Sequence, residues 1–288
     1  MLNANTGALL RKISTRVGTA ANPSGLAKIS AFVARPSENN QAEYAYGGDL
    51  KGNLWRFKID SAGNTATNNT ANPLLLATLA DPNGKAQAIT ARPELGKING
   101  RKLVFIGTGQ YLESADLTNI DTQTLYAIKD IDVGNLTRND LSSRTMVTSG
   151  DTRSAAKGAD AWISDYGWFI DLPSGERQVI ASKLASGTLV VPTMVPSSTA
   201  CSPGGYGWIN YINANNGGAV LPNSTGTVLL GTKTHSIPVG INILYIARRP
   251  KVSFTGASNA TPQQDPNARF DTGKGFAGKR ASWRELIR

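Results

Sequence analysis

Residues 44–60 read YAYGGDLKGNLWRFKID, and this stretch predicts a strand, a tight turn and a second strand. Residues 47–53 are rich in Gly, Asp and Asn, which tolerate the positive φ angles that tight turns require. Residues 54–59 then alternate, which places Trp55 on one face of the strand and Arg56 on the other. Weaker versions of the same unit recur along the chain, so the hairpin is one repeat of a larger β structure.

The composition supports many short strands joined by turns. Of the 288 residues, 40% are hydrophobic, which allows a sizeable core. Only 17% are charged, whereas the chain holds 30 Gly and 14 Pro, the residues that end strands and form turns. The length suits one large β domain or two ordinary ones. The expected fold class is therefore all-β.

Apolar strands that end in a Gly-, Asp- or Asn-rich turn recur at uneven spacing. They lie near residues 2–10, 46–59, 104–128, 167–175 and 208–218. This recurrence favours a β-propeller, complete or partial, with long loops, in which each four-stranded blade buries its face against its neighbours. A β-sandwich is the structural alternative, because it also explains the strands.

Two segments between the strands carry their own expectations. Residues 137–146 are expected to form a short helix that is capped by Thr137, with Asp140 three residues further on. Residues 149–160 contain no clear strand pattern and are expected to form a loop.

Positive charge is concentrated towards the C-terminus. The formal net charge is +10, from 30 Lys and Arg against 20 Asp and Glu. Residues 248–288 hold nine basic and three acidic residues, a net charge of +6. We therefore divide the chain into propeller blades over residues 1–250 and a basic C-terminal extension over residues 251–288. No aromatic-plus-basic nucleic-acid module is present, so a solvated or docking segment is favoured over nucleic-acid binding.

The cysteine count and the hydropathy of the chain bear on its cellular compartment. Cys201 is the only cysteine, so the chain cannot form an intrachain disulfide. No apolar run of about 18 residues occurs, and no membrane span is expected. The N-terminus lacks the apolar core of a signal peptide and opens within a strand–turn–strand pattern. We expect the chain to be a piece of a longer polypeptide whose export signal lies upstream.

Three segments together resemble one protein family. They are YGGDLKGNLWRFKI at residues 46–59, FIGTGQYLESADLTNIDTQTL at residues 105–125 and RASWREL at residues 280–286. With shorter matches between them in the same order, they resemble the C-terminal propeller of the PilC/PilY-type, type IV pilus tip-associated biogenesis proteins. The resemblance runs from the first residues nearly to the last.

This resemblance implies a quinoprotein-like β-propeller without catalytic activity. It implies a role in type IV pilus assembly, retraction control, twitching motility and surface adhesion. The implied partners are minor or major pilins and a host or abiotic surface, with no nucleic acid. The implied location is the cell surface, at the pilus tip or outer membrane, after export through the periplasm.

Two other functions stay open at this stage. One is a lectin-like or protein-binding adhesin module with no assembly role. The other, less favoured, is a quinone-dependent dehydrogenase on a similar propeller. Such enzymes need a cofactor pocket and typically a vicinal cysteine pair, which Cys201 alone cannot supply. No cofactor is therefore expected.

The resemblance also implies a calcium loop directly before the hairpin, with the pattern D-x-D/N-x-D-G-x-x-D. Its positions fall here on Arg35, Ser37, Asn39, Asn40 and Glu43, with Gln41 offering a backbone carbonyl. The cation of Arg35 stands where the first carboxylate is expected, and only Glu43 keeps a negative charge at these positions. Because calcium prefers several anionic oxygens, we predict a degenerate site without useful calcium affinity.

Other chemistry has weaker support. Asp116, Thr118 and Asp121 form an acidic, hydroxyl-rich loop, but side chains that bond their own backbone in turns explain it better than a metal site does. His235 is the only histidine and has no motif around it. Cys201 lies among turn-forming residues, so no catalytic residue is assigned.

Tryptophans offer a possible glycan- or protein-binding surface. Of these, Trp55 and Trp168 lie in predicted strands, which favours the core, and Trp208 also begins a strand pattern. Trp162 and Trp283 are flanked by polar residues and are the better surface candidates.

Overall fold

A computed structural model describes residues 1–33, 38–59, 73–98, 100–155, 166–197, 204–220, 230–246, 249–266, 268, 270 and 279–280. This part of the chain consists mainly of β-strands and their connections, with two short 3-10 turns at Ser114–Leu117 and Arg138–Asp140. The strands form four sheets, numbered sheet 1 to sheet 4 along the chain. The all-β prediction is therefore confirmed.

Sheet 1 contains the hairpin that the sequence predicts. Its strands run antiparallel in chain order. They are β1 (Ile29–Phe32), β2 (Tyr44–Gly48), β3 (Asn53–Lys58) and β4 (Leu74–Thr78). Strands β2 and β3 pair from Tyr44 opposite Lys58 to Gly48 opposite Leu54, the register expected of a strand–turn–strand unit.

Sheets 2 and 3 each have six strands. Sheet 2 contains β5 (Glu94–Ile98), β6 (Arg101–Gly107), β7 (Thr124–Asp130), β8 (Ser142–Arg144), β11 (Gly167–Asp171) and β19 (Lys279–Arg280). Sheet 3 contains β9 (Met146–Ser149), β10 (Thr152–Ala155), β12 (Lys183–Ala185), β13 (Thr188–Pro196), β14 (Gly205–Asn213) and β15 (Gly231–Thr234). Their spatial orders are β19-β5-β6-β7-β11-β8 and β12-β13-β14-β15-β10-β9.

Sheet 4 is a three-stranded antiparallel meander. It contains β16 (Pro238–Ile246), β17 (Arg249–Gly256) and β18 (Asn259–Gln264). The boundary predicted between residues 250 and 251 lies within β17, so the sheet runs across it. Residues up to Gln264 thus belong to a sheet, while the division into propeller and extension stays a prediction.

Successive sheets pack face to face through separate apolar cores. The buried side chains at the three interfaces include, in order, Leu54 with Ile128, Trp168 with Leu189, and Ile209 with Val252. At one edge of the stack, β1 contacts β5, β5 contacts β12, and β12 contacts β16. Sheets that stack face to face and contact each other through one strand of each sheet are arranged as the blades of a propeller.

A single carboxylate organises the turn of the hairpin. Asp49 is buried, and its Oδ1 accepts the backbone N–H groups of Lys51 and Asn53, both at 2.9 Å. Its Oδ2 accepts the Trp55 indole N–H at 3.0 Å. Gly52 has φ +79°, and a Cβ there would lie 2.4 Å from the Leu79 carbonyl oxygen, so the turn requires glycine.

The same turn chemistry recurs beside sheet 1. Asp81 Oδ1 accepts the backbone N–H groups of Asn83 at 2.8 Å and Lys85 at 2.9 Å, two and four residues on, as Asp49 does. Side-chain oxygens that bond the backbone two residues ahead are typical of Asx turns. The same device therefore organises two turns close to sheet 1.

The interface between sheets 1 and 2 contains a buried charged cluster. Asp130 at the end of β7 accepts the Tyr46 hydroxyl and the Arg56 guanidinium, the latter at 2.7 Å. Lys102 Nζ lies 3.5 Å from the same carboxylate. Burial alone would raise the pKa of Asp130, but the bonds from Tyr46 and Arg56 and the charge of Lys102 lower it below its ordinary value.

The interface between sheets 2 and 3 holds a second buried charge pair. Glu176 lies in the connection that leaves sheet 2, and its side chain is 1% exposed, as is that of Arg153 in β10. Arg153 Nη1 donates to Glu176 Oε1 at 2.8 Å and to Asn210 Oδ1 at 2.9 Å. The Arg153 guanidinium also stacks 3.7 Å from the centre of the Trp208 ring. Asn210 and Trp208 both belong to β14, so sheet 3 surrounds the Arg153 guanidinium.

At the third interface, a tyrosine hydroxyl instead of an arginine guanidinium donates to the buried carboxylate. Tyr211 in β14 of sheet 3 donates its hydroxyl to the carboxylate of Asp265, which follows β18 of sheet 4. Both side chains are buried. A carboxylate therefore joins the facing sheets at the first and third interfaces, whereas at the second Glu176 ties the connection from sheet 2 to strands of sheet 3.

Two predictions about local structure are wrong. Within residues 137–146, the only helical turn is the 3-10 turn at Arg138–Asp140. It is capped as predicted by Thr137, whose N–H donates to Asp140 Oδ2 at 2.8 Å. Strand β8 follows, because it pairs in parallel with β11. Within residues 149–160, Thr152–Ala155 form β10 instead of a loop. Arg153 is the reason, because its buried guanidinium bonds across sheet 3.

The buried pair gives a direct stability prediction. Replacing Glu176 by Gln leaves the Arg153 guanidinium buried without a counter-charge, so the free energy of unfolding should fall by about 3 kcal/mol. The matched control is Asp121→Asn, which removes the exposed ion pair with Lys85 and should cost less than about 1 kcal/mol. Denaturant titrations of both variants and the parent measure the difference; equal losses would contradict the assigned role of Glu176.

Candidate functional site

The loop before the hairpin is described from residue 38 onward. The Gln41 N–H donates to Asn39 Oδ1 at 3.3 Å, so that amide oxygen already serves a local turn. The Glu43 N–H donates to the Phe32 carbonyl at 3.0 Å, and the Ile59 N–H donates to the Glu43 carbonyl at 2.9 Å. The Glu43 backbone thus continues the pairing of sheet 1. Arg35 and Ser37 lie outside the described residues.

This donor set does not fit a calcium ion well. Among the predicted ligand positions that the structure describes, Glu43 alone is a carboxylate, and Asn39 is engaged by Gln41. Within the described residues, no group of three or more His, Cys, Asp or Glu side chains lies close enough to hold a metal. Calcium takes 6–8 oxygen ligands, usually with several carboxylates. The loss of calcium affinity at this loop stays a prediction.

The acidic loop around Asp116 already encloses a cation of the protein itself. The Arg177 guanidinium donates to the backbone carbonyls of Gln110 at 3.1 Å, Asp116 at 2.7 Å and Asn119 at 2.6 Å. It also donates to the Gly175 carbonyl, and the whole side chain is buried. Because these carbonyl oxygens converge on a guanidinium, the loop is organised as an arginine-binding turn.

The carboxylates of this loop have structural partners as well. Asp116 Oδ2 accepts the N–H groups of Leu112 at 2.7 Å and Glu113 at 3.0 Å, and Oδ1 accepts the Gln110 amide at 2.8 Å. Burial opposes the charge, but these bonds and Arg177 outweigh it and lower the pKa of Asp116. Asp121 pairs with Lys85 at the surface, and Thr118 donates only to a loop carbonyl. This arrangement supports the turn interpretation over a metal site.

The tryptophans in the described strands belong to the interior. Trp55, Trp168 and Trp208 are all buried, and Trp55 packs with Phe57 against the N-terminal segment. The interpretation of Trp55 and Trp168 as core residues therefore agrees with the structure. The surface candidates Trp162 and Trp283 lie outside the described residues, as does Cys201.

A cavity lined by both polar and apolar groups lies where sheets 3 and 4 meet. It encloses about 380 Å³ and is lined by the turn after β15, including His235, and by residues of β17 and β18. No sequence motif pointed to it, because its wall combines residues 232–236 with residues 254–266. His235 is exposed and lines this cavity.

Strand β16 presents exposed apolar side chains. Val239, Leu244, Tyr245 and Ile246 are each at least half exposed. Leu244, Tyr245 and Ile246 are consecutive, so this apolar strip of β16 is concentrated at the end of the strand. No helix in the described part of the chain is long and apolar enough to cross a membrane.

The stacked sheets and their enclosed charge pairs define a β-propeller. A family model described as the PilY1 beta-propeller domain matches residues 1–157, more than half of the chain. The chain therefore belongs to the PilY1 β-propeller family, which confirms the resemblance to PilC/PilY-type proteins.

Relatives with known names agree with this assignment. A type IV pilus biogenesis factor PilY1 homolog of Xylella fastidiosa is 30% identical over 247 residues, covering 77% of this chain and 17% of the relative. The type IV pilus biogenesis factor PilY1 of Pseudomonas aeruginosa is 31% identical over 270 residues, covering 76% of this chain and 23% of the relative. The chain thus spans only about a fifth of these relatives.

A solved structure supports the fold alone. The crystal structure of the Pseudomonas aeruginosa PilY1 C-terminal domain superposes with a TM-score of 0.73 and 21% identity. The superposition covers 93% of this chain and 66% of that one. The predicted propeller fold is confirmed, and four of its blades are described here as sheets 1–4.

The calcium prediction is tested by titration. Calorimetry with calcium chloride should show no saturable micromolar binding by the chain, because Glu43 is the only carboxylate among its predicted ligand positions. A variant that restores the pattern through Arg35→Asp, Ser37→Asp, Asn39→Asp and Asn40→Gly should gain binding and serves as the positive control. Micromolar binding by the parent chain that Glu43→Ala abolishes would show that the loop is functional.

Proposed function

We propose that this chain is the propeller module of a type IV pilus biogenesis factor and acts by binding, without catalysis. The observation that carries the proposal is the family match, supported by relatives with that name over three quarters of the chain. The acidic side chains Asp49, Asp116, Asp130 and Glu176 each serve a turn or a sheet interface. Such side chains act in the scaffold and leave binding to exposed surfaces.

The finer role proposed is support of pilus assembly, control of retraction and attachment to a host or abiotic surface. Its partners would be minor or major pilins, and its location the pilus tip or outer membrane after export through the periplasm. The exposed apolar strip of β16 suits a protein partner. Twitching motility would follow from the same assembly role.

Deletion of the segment that encodes residues 1–288 tests the assembly role. In the bacterium that carries it, surface pili should be lost, as counted by electron microscopy and by pilin sheared from cells. A copy with Asn83→Ala, an exposed turn residue, should restore pili and serves as the control for expression. In a strain unable to retract pili, recovery of pilus number would assign the chain to retraction control instead. Unchanged pilus number and unchanged attachment would contradict the proposal.

An adhesin role without assembly is the second candidate. The cavity between sheets 3 and 4 favours it, because a ligand site on the propeller needs no pilin. In the same deletion strain this function predicts a normal number of pili together with loss of attachment.

A further inference from the structure

We propose that the cavity between sheets 3 and 4 binds a neutral saccharide. The inference goes beyond the proposed function, because binding a sugar does not require any part in pilus assembly. The cavity volume of about 380 Å³ falls within the range of roughly 300–1,000 Å³ that is typical of small-ligand sites. It is therefore large enough for a sugar ring.

The first argument is the number of open hydrogen-bonding groups. Five side chains in the wall carry hydroxyl, amide or imidazole groups: Thr232, His235, Ser236, Ser258 and Gln263. In the described part of the chain, these side chains make no hydrogen bond with another residue, although neighbouring polar groups do. Hydroxyls and amides both donate and accept, as the vicinal hydroxyls of a sugar require.

The second argument is the charge of the cavity. Lys233 and Asp265 are the charged residues in its wall. The Lys233 ammonium lies 3.4 Å from Asp151 and 4.7 Å from the centre of the Tyr206 ring. The Asp265 carboxylate accepts the Tyr211 hydroxyl at the sheet interface. Because each of these charges already has a partner within the chain, the cavity favours a neutral ligand over a phosphate or a carboxylate.

The third argument is the apolar part of the wall. Phe254 in β17 is half-buried, packing partly in the core between sheets 3 and 4 and partly along the cavity. An aromatic ring beside hydroxyl and amide groups matches a sugar, whose C–H face is apolar and whose rim is polar. A peptide side chain would instead need a deeper apolar pocket.

Binding of defined sugars to the full chain tests this proposal. Galactose, mannose, N-acetylglucosamine and N-acetylgalactosamine are titrated at millimolar concentrations and followed by saturation-transfer NMR, with sialic acid and inorganic phosphate as charged comparators. At least one neutral sugar should bind with a measurable Kd. The variant Gln263→Ala should raise that Kd by about fivefold, because a hydrogen bond to the ligand is lost.

Two further variants separate a local effect from a loss of fold. Ser258→Trp lies in the exposed turn between β17 and β18 and should abolish binding by filling the cavity. Asn83→Ala, beside sheet 1, should leave the Kd unchanged, and all variants should keep the parent's thermal unfolding midpoint. Absence of binding by every neutral sugar, a Kd unaffected by Ser258→Trp, or tighter binding of sialic acid or phosphate would each overturn the proposal.

Discussion

The stack of sheets depends on carboxylates that are buried where one sheet meets the next. Asp130 takes Tyr46 and Arg56 across the first interface, Glu176 takes Arg153 at the second, and Asp265 takes Tyr211 at the third. Each carboxylate would be costly to bury alone, so its energy is low only when neighbouring strands supply its donors. Apolar cores attract any two sheets, whereas the bonds of Asp130 and Asp265 select one neighbouring sheet, and the bond of Glu176 fixes the connection between sheets 2 and 3.

Local chemistry explains how much of the fold the sequence could predict. The hairpin follows from the positive φ of Gly52 and from Asp49, whose carboxylate bonds residues two to six positions ahead, so the strand–turn–strand pattern was sufficient. The failures at residues 137–146 and 149–160 depend on distant partners. In the first segment β8 pairs with β11, and in the second Arg153 of β10 bonds Glu176 and Asn210. Neither interaction produces a recognisable pattern in the neighbouring sequence.

The candidate sites also differ in whether they are built from local or from distant residues. The acidic loop could be recognised as turn chemistry from its residue types, but its cation, Arg177, comes from another connection. The cavity could not be predicted, because its two walls come from different sheets. The family assignment rests on a match over residues 1–157, which include the hairpin and most of sheets 1 and 2. The candidate binding surfaces are therefore the exposed ones, namely the β16 strip and the cavity.

A double-mutant cycle on Tyr46→Phe and Asp130→Asn tests the role of the interface carboxylates most directly. Denaturant unfolding at neutral pH should give a coupling energy of at least about 1.5 kcal/mol, the strength expected of a hydrogen bond to a charged group. Because the pKa of Asp130 is lowered in the folded chain, its contribution is present above about pH 4 and is lost as the pH falls through the folded pKa. Additive losses at neutral pH, with a coupling energy near zero, would contradict the account.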